Sequence, residues 1–217
     1  MNSRAYDLIV FDWDGTLMDS EAKIVRCMQG AAHDAGIPDP GAERIRHIIG
    51  LGLKEAMETL FPDEPPAQRA ALVEHYRRHF LEIDDTAMPL FPGVAEGLAR
   101  LADQGFLLAV ATGKSRRGLD RVLDESGMRR LFAASRCADE AHSKPHPQML
   151  EEILDVTGIE APRTIMIGDT VYDMQMARHA GVAGLAVSYG VHACEQLLEH
   201  GALACLDSFP EVCAWIR

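Results

Sequence analysis

No run of apolar residues in this 217-residue chain approaches the ~18 that a membrane-spanning helix needs. The opening residues MNSRAYD contain nothing like the apolar region of a signal peptide. Positive charge is scarce. Lys and Arg number 21 against 33 Asp and Glu, and the formal net charge of -12 sets an average field that repels nucleic acid and anionic membrane surfaces. A small anionic partner would need local cations and a metal to overcome that field. The five cysteines (Cys27, Cys137, Cys194, Cys205 and Cys213) are odd in number and form no C-x-x-C, which predicts free buried thiols in a reducing cytoplasm. Low complexity and internal repeats are absent too. What is there is globular: 47% hydrophobic, 25% charged, and long enough for one large domain or two unequal ones.

The apolar pattern divides the chain. Leu8-Ile9-Val10-Phe11 reads as a strand, and the region 20–85 that follows reads as helices without a convincing strand. Within it, Gly36 and Pro38 stop a first helix, Gly50-Leu51-Gly52 interrupts shorter ones, and Pro65-Pro66 opens a longer one with Val73, Tyr76, Phe80 and Ile83 on one face. From Pro92-Gly93 onward, helices alternate with apolar strands predicted at 106–111, 132–137, 164–167 and 183–187, with short helices to the end. Continuous apolar strands alternating with helices predict a doubly wound parallel sheet covered on both faces, a Rossmann-like α/β core. Residues 1–18 and 88–217 are expected to form that core, with 19–87 an inserted all-helical cap.

In such a sheet, ligands bind outside the carboxyl ends of the strands. Asp12 and Asp14 stand where the first strand should end, and a turn there needs only one Asp beside Gly15. Thr112-Gly113 closes the strand after 106, Asp169 follows Ile167-Gly168, and Asp173 lies one helical turn on. Lys144 sits in "SKPHP", where two prolines prevent a helix through the lysine. Carboxylates gathered so closely would hold protons unless a cation sat among them. Mg²⁺, a hard ion held by one or two carboxylates plus substrate phosphate, suits the set. One carboxylate can then attack phosphorus, and the second can protonate the leaving alcohol and later deprotonate water.

D-W-D-G-T at 12–16, Thr112, Lys144 in K-P-x-P and G-D-x-x-x-D at 168–173 resemble, in order, the four motifs of the haloacid-dehalogenase-like phosphatases. The helical insertion resembles the cap of their phosphoglycolate phosphatase-like subgroup. The resemblance implies Asp12 as nucleophile and Asp14 as general acid/base, with Thr112, Gly113 and Lys144 on the phosphoryl group. It further implies Mg²⁺ held by Asp12, the main-chain carbonyl of Asp14 and Asp169, with Asp173 orienting a water on the metal. The substrate expected is a small phosphorylated metabolite, phosphoglycolate-like or a sugar phosphate. Phosphomutase chemistry on the same fold is the nearest alternative, disfavoured because Ser20 to Ile24 offers no histidine. A phospho-accepting signalling or binding module is another, disfavoured by the helical insertion.

Other matches lead elsewhere. Gly113-Lys114-Ser115 looks like the tail of a P-loop, but Leu108 stands where that motif needs Gly. His75 and His79 have the spacing of a helical zinc pair but no Glu between them, and read as a solvated face. His142 and His146 read as loop residues, and Met174 and Met176 as core filling. Arg46, His47 and Lys54 flank the glycine loop and could supply cations to an anionic leaving group.

Overall fold

The computed structural model describes residues 4–216. Six parallel strands form one sheet in the order β3-β2-β1-β4-β5-β6: β1 (Leu8–Phe11), β2 (Leu107–Thr112), β3 (Ala134–Cys137), β4 (Thr164–Gly168), β5 (Ala183–Val187) and β6 (Ala202–Leu206). The central strand β1 is buried on both faces. Ile9 and Phe11 enter one apolar cluster while Leu8 and Val10 enter another on the opposite side. That two-sided burial is why the strand is a continuous apolar run rather than an alternating one. Helices α5 (Val94–Asp103), α6 (Arg116–Ser126) and α10 (Phe209–Trp215) contribute to the first cluster. Helices α7 (Gln148–Thr157) and α8 (Val171–His179) contribute to the second. Met174 and Met176 are buried, as core filling requires.

Register brings the strand ends together. Phe11 lies beside Val110 on one side and Ile167 on the other, so Asp12, Thr112 and Asp169 emerge at one edge of three adjacent strands. The Asp12 N–H still donates to the Ile167 carbonyl at 2.9 Å, which fixes the first acidic residue to the sheet.

Between β1 and α5 the chain is helical: α1 (Glu21–Asp34), α2 (Ala42–His47), α3 (Leu53–Leu60), α4 (Pro66–Arg78) and a π-turn, His79–Ile83. Ile24, Met28, Ile45, Met57 and Leu72 centre an apolar cluster distinct from those of the sheet. The chain enters and leaves this block side by side, for Met18 pairs antiparallel with Leu90.

Three expectations are corrected. The C-terminal stretch contains an edge strand, β6, and not helices alone. Its residues are mostly half-buried, and the short ALACL run lacks the dense apolar signal of the central strands. Ile83 does not share the buried face of α4. The π-turn advances the chain out of helical phase, and Ile83 is 49% exposed. Nor are all five cysteines thiols: Cys194, opening α9 (Cys194–Glu199), is joined to Cys205 on the adjacent β6. Their Cα atoms lie 5.9 Å apart, within bridging range. Cys27 and Cys137 are free and buried. The bond removes the ground for assigning a reducing compartment from cysteine parity. Among the described residues no helix is long and apolar enough to cross a membrane.

Candidate active site

At the carboxyl edge of the sheet, Asp12, Asp169, Asp173 and Lys144 converge, each 1% exposed or less. The Lys144 ammonium stands 2.8 Å from Asp12 Oδ1 and 2.7 Å from Asp173 Oδ1. These are ionic contacts whose angles fall outside hydrogen-bond geometry, since neither Lys144 Nζ nor Asp173 Oδ1 has an aligned partner. Asp12 Oδ1 also accepts from the Trp13 N–H at 2.7 Å, whereas Asp12 Oδ2 is buried without a partner. One oxygen of the expected nucleophile is therefore held and the other is uncommitted. Asp169 is steadied by the Thr16 hydroxyl (2.8 Å) and the Val191 N–H (3.0 Å). Asp173 forms a capping box with Thr170 at the start of α8. Cap and charge cluster thus use the same carboxylate. Thr112 is fully buried, and its hydroxyl accepts from the Lys114 N–H at 3.2 Å.

The charges are not balanced. Burial pushes the Asp12 carboxyl well above the ordinary carboxylate range, with Lys144 opposing and Asp173 and Asp169 adding to the rise. Burial, then the neighbouring Asp173, raises Asp169 to about 7. Lys144 is held protonated by Asp12 and Asp173 despite burial that favours its neutral form. Three carboxylates around one ammonium leave an excess of negative charge. Oxygens of Asp12, Asp169 and Asp173 lie within 4.8 Å of one another, an all-oxygen donor set that could hold a hard divalent cation.

Asp14 stands apart from this cluster, facing the helical insertion. Ser20 Oγ donates to its Oδ1 at 2.6 Å, and Lys114 Nζ reaches both oxygens at 2.8 and 2.9 Å. Lys114 is a site residue that the sequence reading passed over as a failed P-loop. The available signal was its place two residues beyond Thr112, at the same strand edge as the acids. Ser115 beside it caps α6.

The glycine loop of the insertion lies directly over the site. Gly52 N–H donates to Ser143 Oγ at 2.7 Å, next to Lys144, and a Cβ at Gly50, whose φ is +100°, would meet the Thr170 side chain at 3.1 Å. A side chain at Gly113 would meet the Leu51 carbonyl at 2.5 Å and that of Gly50 at 2.7 Å. The obstacle is backbone, so Gly113→Ala must displace the loop. We expect kcat/KM to fall on the order of 10- to 10²-fold. An unaltered kcat/KM would detach the loop from substrate handling.

Of the three flanking cations, Lys54 alone lines the cavity beneath the loop. Arg46 pairs with Glu21, and the His47 carbonyl is held by Tyr172 and His192 of the sheet-bearing part. His79 is paired with Asp34 rather than forming a metal pair with His75, and His142 and His146 pack on each other in their loop.

A six-stranded parallel sheet covered by helices, with buried carboxylates and one lysine gathered at its carboxyl edge, is a Rossmann-like α/β fold with a site at the place where such sheets bind ligands. The sequence profile of the haloacid dehalogenase-like hydrolases matches residues 9–187, and the chain belongs to that family, in its phosphoglycolate phosphatase-like subgroup. It is 37% identical to the probable phosphatase IndB of Dickeya dadantii, covering 94% of this chain and 91% of that one. It is 32% identical to the phosphoglycolate phosphatase of Aliivibrio fischeri, covering 93% and 92%. A crystal structure of a predicted phosphoglycolate phosphatase from Haemophilus somnus superposes with a TM-score of 0.88 at 22% identity, over 98% of this chain and 99% of that one, and shows the shared fold.

Proposed function

We propose that this phosphatase hydrolyses small phosphate monoesters with Mg²⁺ through an aspartyl-phosphate on Asp12. The observation that carries the reading is the buried, unpartnered Oδ2 of Asp12, set beside a lysine and within reach of two more carboxylates. Asp12 attacks phosphorus and the ester P–O bond breaks. Asp14 delivers its proton to the departing oxygen. Water then attacks the acyl phosphate, Asp14 takes up its proton, and inorganic phosphate leaves with Asp12 regenerated. Lys144 and Thr112 orient the phosphoryl oxygens. The glycine loop, with residues 19–87 acting as a cap, excludes bulk water.

The acidic cluster fits Mg²⁺. Asp12, Asp169 and the main-chain carbonyl of Asp14 would hold the ion, with Asp173 in support, and the ion would neutralise the excess negative charge that burial makes costly. Activity should vanish in excess chelator and return with Mg²⁺ but not with Ca²⁺, whose larger coordination shell would draw Asp12 out of line. Mg²⁺ alone should also raise the melting temperature of the chelator-treated protein, a readout independent of turnover. Full activity in excess chelator would remove the metal from the scheme.

A further inference from the structure

The cavity between the glycine loop, α1, the π-turn and α6 measures about 680 Å³ and opens onto Asp12 and Asp14. That is the size of pockets that enclose drug-sized ligands, ~300–1,000 Å³, and far more than a two-carbon leaving group occupies. Its charge inverts that of the molecule. Among the described residues six cations (Lys23, Lys54, Arg77, Lys114, Arg117 and Arg121) line it against five acids (Asp12, Asp14, Glu55, Glu74 and Asp139), with Lys114 paired to Asp14. A chain of net charge -12 has thus gathered an excess of cations at the leaving-group side of its site.

Lys23 is the unusual member. It is 8% exposed, yet forms no ion pair with any described residue. Its one hydrogen bond goes to the Asp84 carbonyl at 2.7 Å, while the Asp84 carboxylate is taken by Arg26 and Thr86. An ammonium carries three donors, and a buried, unpaired one is costly to keep. Lys23 Nζ lies 5.2 Å from the centroid of the Phe80 ring, and Lys114 Nζ lies at the same distance from that ring. Phe80 is presented by the π-turn, an irregularity frequent at functional sites, and packs on Tyr76 at 5.7 Å. The ring therefore organises two cations at the cavity wall, one already matched to Asp14 and the other without a counter-ion.

We infer that Lys23, positioned by Phe80 beside Lys114, recognises an anionic group on the leaving-group side of the substrate, which is therefore a phosphate monoester of more than two carbons bearing a second phosphate or a carboxylate. The inference rests on the phosphatase reading for which end of the substrate faces Asp12. Its test reads binding rather than turnover.

Asp12→Asn protein with Mg²⁺ is titrated calorimetrically with two matched pairs: fructose 1,6-bisphosphate against fructose 6-phosphate, and 3-phosphoglycerate against glycerol 3-phosphate. The first pair reports a second phosphate and the second a carboxylate. In at least one pair the more anionic member should bind about tenfold or more tightly than its counterpart. Lys23→Gln in the same background should erase that difference, and Lys23→Arg should keep it. Equal binding within both pairs overturns the inference before any lysine variant is made, as does a difference that survives Lys23→Gln. If wild-type protein hydrolyses 4-nitrophenyl phosphate while neither pair shows a preference, the inference fails and the phosphatase reading stands. If the preference is found but no ester is ever hydrolysed, the phosphatase reading fails instead.

Discussion

Asp12→Asn is expected to fold normally and to be inert. The amide keeps the volume of the carboxyl and can accept the Trp13 N–H at Oδ1, but it is not a competent nucleophile toward phosphorus. Loss of a nucleophile typically removes all but a small residue of activity, so a fall of at least ~10³-fold in kcat is the expected result. Stability should not fall with it. Burial already disfavours the charged form of Asp12, and Lys144 retains Asp173 as a counter-ion. Circular dichroism and steady-state hydrolysis of 4-nitrophenyl phosphate on the same preparation check both parts. Retention of a tenth of wild-type rate by a verified mutant would end the covalent mechanism.

Lys144→Met should be nearly as damaging, for a different reason. The methionine stem fills much of the same fully buried space, but the ammonium between Asp12 and Asp173 is gone. Removing one partner of a buried ion pair typically costs about 3–5 kcal/mol, because the remaining charge is left uncompensated. The metal-free variant should therefore melt well below wild type at neutral pH, and Mg²⁺ should recover part of the difference by supplying positive charge to the same carboxylates. Turnover should not recover, since the phosphoryl oxygens lose their fixed cation. A variant that melts like wild type in chelator would show that the cluster does not depend on Lys144 for its charge balance.

The parts of the fold that were legible in the sequence are those where one physical cause dominates. β1 and β5 match their expected residues, Leu8–Phe11 and Ala183–Val187, because burial on both faces leaves short runs without a polar side chain, closed at the carboxyl end by Asp12 and Ser188. β6 was not legible, because an edge strand needs to bury only part of its surface. The exposure of Ile83 was hidden by a π-turn that no local composition announces. Asp12, Lys144, Asp169 and Asp173 could be singled out because each is an acid or lysine where a strand, proline loop or glycine marks the ligand-binding edge, and the structure brings the four together. Lys114 could not. Its partner Asp14 lies 100 residues away in the chain, and its neighbours Gly113 and Ser115 mimic a different motif. Lys23 was invisible for a similar reason. On a helix rich in polar residues a lysine reads as solvated, and only the packing of the π-turn against α1 shows that it is buried. The Cys194–Cys205 bond is a tertiary pairing that an odd count of five conceals.

The stereochemical course at phosphorus tests the central claim most directly. A substrate whose transferred phosphoryl group is made chiral with oxygen isotopes and sulfur is hydrolysed, and the configuration of the thiophosphate product is determined. Attack by Asp12 followed by attack of water comprises two in-line displacements, and the expected outcome is net retention. Net inversion would mean that water attacks the ester directly, and Asp12 would then be no nucleophile.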